Sequence, residues 1–169
     1  GVSRTNNMIF YTDRAVSEGY INENEAAPLY AEAAVLRSFY WYILTSTFGD
    51  VPFYTERVTE ENRTKIVKLP RMSATEIRSF CIEELRKNLS AMPARRTYDS
   101  GTDYRVSRAL GLMLGGRLCL WNKDWDGALE FFGQLETIYG DLSQYPLSDV
   151  PFSVKYSRES IWEVPNIYE

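Results

Sequence analysis

The sequence predicts a mainly α-helical domain of helical hairpins joined by long loops, with one short strand near its C-terminus. Three stretches carry that prediction. Between Ala31 and Tyr54, Phe39, Tyr40, Trp41 and Tyr42 stand in consecutive positions. On a helix they point all round it, so this helix must be packed on most sides. Between Ser73 and Pro93, Ile77, Cys81, Leu85 and Leu89 recur every fourth residue, the spacing of one helical face. Between Ser107 and Tyr139, two apolar helical segments flank Asn122-Lys123-Asp124, a tight turn. At 169 residues the chain suffices for one domain with a core, and 44% apolar with 14% aromatic residues excludes disorder.

The elements follow in order. Thr5 to Glu18 reads as a first helix, with Met8, Ile9, Tyr11 and Ala15 at helical spacing and Gly19 as its stop. Asn22 or Asn24 caps the next helix, where Pro28 is tolerable only in the first turn. That helix runs to Thr47 with Leu29, Ala33, Leu36, Tyr40 and Leu44 along one stripe. Its only charges after Leu29 are Glu32 and Arg37, read as rim groups reaching water or paired with a neighbouring helix. Gly49 takes the left-handed turn after it, and Pro52 forbids helical continuation. Residues 55–72 are polar and mixed in charge, and read as a surface loop. Ser73-Ala74-Thr75-Glu76 fits a capping box opening the third helix, Glu83 and Lys87 form an i,i+4 pair, and Pro93 closes it. Ser107 caps a fourth helix, Arg108 to Trp121. A fifth runs from Asp124 to Tyr139 with Trp125, Ala128, Leu129, Phe132 and Leu135 facing inward. Ser160 to Val164 alternates apolar and polar and reads as a strand. A lone terminal strand and a first residue that is not Met lead us to expect one domain over 1–169 that is a fragment of a longer chain.

Composition excludes several functions. The chain has no histidine, which removes Ser-His-Asp and Cys-His catalysis and most zinc or non-haem iron sites built by this chain alone. Net charge is −4 with no basic run, so nucleic acid is not an expected partner. No apolar run reaches the ~20 residues of a membrane span. There is no phosphate loop, since Gly111, Gly115 and Gly116 lie inside a helix, and no CxxC or calcium-loop pattern. Cys81 and Cys119 read as small buried hydrophobes; pairing between them stays open. The acidic pairs Glu60-Glu61 and Glu83-Glu84 read as solvated charge rather than glycosidase carboxylates. No cofactor, metal or catalytic residue is expected, and a binding or scaffolding role becomes the default.

Aromatics outside the helices are the candidate ligand contacts. Tyr54, Tyr98, Tyr104, Tyr145, Phe152, Tyr156, Trp162 and Tyr168 stand in loops or extended segments, where aromatic faces stack on sugar rings while Asn, Asp or Arg bond the hydroxyls; the first three are singled out, and the competing reading is that all of them fasten loops to the helical body. The last two helices carry a second pattern. Gly115 and Gly116, then Trp125, Ala128 and Phe132, follow the small–turn aromatic–Ala–Phe order of a tetratricopeptide hairpin. Cys119 and Leu135 depart from it, and no 34-residue period runs through the chain.

Ala31-Glu32-Ala33-Ala34-Val35-Leu36-Arg37-Ser38-Phe39-Tyr40 followed by Phe48-Gly49-Asp50-Val51-Pro52 closely resembles the SusD/RagB family. Its members show an AEA-x-x-LRA-[FY] helix and a [LF]-[FY]-GD-[VI]-P exit; Ser38 stands where Ala is usual. Leu69 to Ser73, the helix with Ile82 to Leu85, Arg105 to Ala109, Lys123 to Leu129, Tyr139 to Leu142 and Glu159 to Val164 resemble further family segments in the right order. The matched residues, among them Glu32, Leu36, Arg37, Gly49, Asp50 and Pro52, are structural motifs, not ligand motifs.

The resemblance implies a tetratricopeptide-like α-α superhelix of which this chain is the N-terminal to middle part. It also implies a non-enzymatic, surface-exposed lipoprotein of the Bacteroidota outer membrane, whose lipid anchor lies outside this chain. Such a protein captures an oligosaccharide, or a peptide in some members, and delivers it to a SusC-like TonB-dependent transporter. Two rivals differ in kind. A tetratricopeptide adaptor predicts several consecutive repeats and a concave groove. A helical-toroid glycosidase predicts paired carboxylates in an aromatic cleft and release of reducing sugar.

Overall fold

The computed structural model describes residues 1–95, 105–149 and 157–164. Among them it forms helices α1 (Val2–Ser17), α2 (Glu23–Phe48), α3 (Arg63–Val67), α4 (Ala74–Asn88), α5 (Arg108–Trp121) and α6 (Trp125–Tyr139). Two short strands, β1 (Val51–Pro52) and β2 (Arg71–Met72), pair antiparallel. The helices form a layered array in which α2 packs against α1 and α4, α4 reaches α5, and α5 pairs with α6. Trp41, Val35, Ile77, Leu85, Leu112, Leu118 and Phe131 are buried in the shared core. The array is the mainly helical, hairpin-built class that the sequence predicts.

The first helix differs from its expected pattern. It begins at Val2, and its buried residues are Val2, Thr5, Asn6 and Thr12, whereas Tyr11 is exposed. The polar face turns inward because Asn6 has buried work: its Oδ1 accepts from Arg37 Nη1 at 3.3 Å, and its Nδ2 donates to the Glu56 carbonyl at 3.1 Å.

Asn22 is the cap of α2. Its Oδ1 accepts from the N–H of Asn24 at 2.9 Å and of Glu25 at 3.1 Å, and the Glu25 carboxylate accepts from the Asn22 N–H at 2.9 Å. Pro28 is not in the first turn; it is the sixth helical residue. The carbonyl it leaves unpaired in the helix belongs to Asn24, four residues back, which is exposed and open to water.

The segment expected as a loop, residues 55–72, contains α3 and β2. Val51 pairs with Met72 and Pro52 with Arg71, so the GDVP exit of α2 is laced to the segment before α4. This alters the start of α4. Ser73 occupies the N-cap but its side chain makes no capping bond. Asp50 Oδ1 accepts from the Ala74 N–H at 2.9 Å instead. A carboxylate held at a helix N-terminus satisfies a free donor and complements the dipole better than a neutral hydroxyl.

Three further expectations are corrected. Glu83 pairs with Arg86 at 3.0 Å rather than with Lys87. The α4 helix stops at Asn88, and a 3-10 turn, Leu89–Ala91, leads towards Pro93. Ser107 stands at the N-cap of α5, but its hydroxyl is buried without a hydrogen-bond partner.

In α6, Ala128 and Leu135 are buried as expected, but Trp125 and Leu129 are exposed and Phe131 takes the inward place. The glycines of α5 explain this. A Cβ on Gly115 would lie 2.5 Å from the Phe131 ring, and one on Gly116 would lie 2.4 Å from the Phe132 ring. Two adjacent glycines thus receive two adjacent rings, and the inward stripe of α6 shifts towards Phe131.

Ser160 to Val164 is irregular rather than a strand; the paired strands among the described residues are β1 and β2. Its tie to the body is made by Trp162, edge-on to Phe39 at 5.5 Å, and by the Ser160 carbonyl, which accepts from Tyr139 Oη at 3.3 Å. Cys81 and Cys119 are buried free thiols.

Candidate ligand-binding surface

The residues of the α2 motif hold helices together. Glu32 is buried and meets Arg105 at 2.8 Å. Arg37, 6% exposed, is bridged to Glu84 of α4, bonded to Asn6 of α1, and set 5.4 Å from the Phe80 ring centre. Arg37 is therefore paired with a neighbouring helix, while Glu32 is paired with the segment before α5, and neither reaches water as a rim group. Leu36 is half-buried against the core. Gly49, at φ 67°, reverses the chain so that Asp50 meets α4 and Pro52 enters the ladder.

Tyr54 is half-buried, with its ring edge-on to Trp41 at 6.1 Å. It is thus fastened to the core while keeping part of its surface in water. Tyr98 and Tyr104 lie outside the described residues. Tyr145 donates to the Tyr139 carbonyl at 2.8 Å and fastens the segment after α6.

Among the described residues, two clefts are large enough for a small ligand by the ~300–1,000 Å³ of known sites. One, of about 920 Å³, lies at the end of α5 and α6 and is mostly apolar, with Phe132, Leu135, Tyr139 and Leu142 beside Glu136 and Glu159. The other, of about 410 Å³, lies between α1, α2 and α4. Its walls include Asp13, Tyr30, Arg37, Glu84, Lys87 and Asn88. Tyr30 Oη donates to Asp13 Oδ1 at 2.7 Å, and that bond, followed by burial, pushes the phenol up to about 12. Tyr30 therefore stays a neutral donor at any physiological pH. Sequence reading missed this second cleft because its polar residues come from three helices and share no spacing. Among the described residues, no group of carboxylates and cysteines is placed to hold a metal. No helix among them is long and apolar enough to cross a membrane.

No protein-family model and no curated protein matches the chain. Solved structures do. Surface glycan-binding protein A from Bacteroides uniformis is 24% identical, with a TM-score of 0.76 over 97% of this chain and 36% of that one. Its counterpart from Bacteroides thetaiotaomicron, in complex with laminarihexaose, is 23% identical, with a TM-score of 0.74 over 96% of this chain and 32% of that one. A SusD-like carbohydrate-binding protein from Bacteroides fragilis is 24% identical, with a TM-score of 0.62 over 72% of this chain and 23% of that one. The chain therefore has the SusD-like helical fold, and it spans about a third or less of the length of these structures.

Proposed function

We propose that this chain is part of a SusD-type surface protein that captures a glycan without breaking it and passes it to a TonB-dependent outer-membrane transporter. The observation that carries this reading is the likeness, over nearly the whole chain, to surface glycan-binding proteins from two Bacteroides species. Fold alone does not fix function. The ordered motifs of α2, β1 and β2 add support, because the structure gives each a role in the same scaffold. Of the carboxylates considered for glycosidase chemistry, Glu83 pairs with Arg86 and Glu84 with Arg37, while Glu60 and Glu61 are exposed. On this reading the protein sits on the outer face of the outer membrane, anchored by a lipid attached outside this chain. Tyr54, Tyr98 and Tyr104 remain the candidate stacking residues contributed by its loops.

Isothermal titration of the full-length protein against a panel of soluble oligosaccharides, laminarihexaose included, tests the proposal. Saturable binding with no release of reducing ends is expected. Release of reducing sugar would make it a glycosidase, and binding of peptides alone would move it to a peptide-capturing role.

A further inference from the structure

We propose that the cleft between α1, α2 and α4 is a subsite for one neutral, hydroxyl-rich sugar residue of the captured glycan. The proposal rests on the glycan-binding reading above and places part of that binding on the helical scaffold rather than on loops.

The geometry points to hydroxyls. A sugar hydroxyl donates once and accepts twice, so its site must offer acceptors and donors together. Asp13 and Glu84 supply carboxylate oxygens, while Lys87 supplies N–H donors and Asn88 Nδ2, which donates to the Glu84 carbonyl at 2.8 Å, has one N–H left over. Arg37 carries a specific vacancy: its Nη atoms reach Asn6 and Glu84, but its Nε is buried with no hydrogen-bond partner. An unpaired buried donor of a charged group is costly, so Arg37 gains from any polar atom drawn in beside it. Lys87 is free to turn to a ligand because Glu83, its expected partner, is held by Arg86.

The charges favour a neutral guest. Asp13, Glu23 and Glu84 face Arg37 and Lys87 across the cleft, leaving one net negative charge and no strong field for an anion. Apolar contact is present as well, from Ile9 and from the ring of Tyr30, whose hydroxyl is pinned by Asp13. At about 410 Å³ the cleft falls within the range of small-molecule sites and admits one ring rather than a polymer.

The test uses the full-length protein and the oligosaccharide from the panel that binds it best. Lys87→Met and Asn88→Ala remove donors at the rim of the cleft, and Leu129→Ala on the exposed face of α6 is the control. Each cleft variant is expected to weaken binding by about tenfold, with the control unchanged and the melting temperature of Lys87→Met retained. A second readout does not depend on any variant: the Ile9 methyl resonance of the unaltered protein should shift on titration with the glycan. Wild-type binding with both cleft variants within about twofold and an unmoved Ile9 methyl overturns the subsite and leaves the glycan-binding reading standing. Failure of the unaltered protein to bind any glycan overturns both.

Discussion

Helices α2 and α5 each pack against neighbours on more than one side, and they do so in opposite ways. Each carries apolar residues on all sides, so neither has a polar face to give to water. The α2 helix is packed by reach. It buries Glu32 and Arg37 and lets each find an opposite charge on a neighbouring segment. The α5 helix is packed by subtraction. It buries Gly111, Gly115 and Gly116, and side chains from Leu89, Phe131 and Phe132 fill the space a Cβ would occupy. Charge pairing sets which elements meet, because an unpaired buried charge is too costly to leave. Glycine contact sets how close they come, because the approach is limited only by backbone.

That contrast fixes an order of sensitivity. Deleting the ring seated on Gly115, Phe131→Ala, should cost about 4 kcal/mol in urea unfolding, since a fully buried aromatic leaves a cavity that the glycine cannot refill. Glu84→Ala should cost about 3 kcal/mol, because it strands the Arg37 guanidinium in the interior. A loss below about 1 kcal/mol would mean that pairing is not what allows α2 to bury that charge. Gly115→Ala should cost about 2 kcal/mol by overpacking, and nothing further in a Phe131→Ala background, where the space is empty. If the two changes simply add, close approach is not the reason for the glycine.

Asp50→Ala should cost about 1 kcal/mol and Ser73→Ala less than about 0.5 kcal/mol, the reverse of what the local sequence suggests. The smallest effect concerns the thiols. Burial, joined at Cys119 by the charge of Asp124, pushes both from an ordinary 9.0 up to about 12. A folded pKa above the unfolded one adds stability that is complete below pH 9 and is lost as pH rises towards 12. Thiol titration with a disulfide reagent at pH 8 should therefore find neither cysteine until denaturant is added.

Much of the helical layout was legible. The bounds of α5, the tight turn at Asn122 and the stop at Gly140 follow from local chemistry, which also narrowed the α2 cap to Asn22 or Asn24. Local reasoning failed where a distant segment intervened. Ser73 looked like a cap and is displaced by Asp50, 24 residues away, because the β1–β2 ladder brings that carboxylate to the helix start. The α1 helix looked as though it would bury Tyr11 and buries Asn6, because Arg37 needs an acceptor there. The polar cleft was invisible for the same reason.

The sequence by itself determined the helical periods, the turn chemistry and the resemblance to a surface-binding scaffold. Each depends on residues within a few positions of one another, where spacing and side-chain type suffice. Only the tertiary structure decided which charge meets which, which ring fills which glycine, and where donors and acceptors converge around empty space. These depend on three or more elements meeting at once. Arg37 shows the difference: its sequence position marks it as a buried charge, but only its neighbours leave one nitrogen facing no partner.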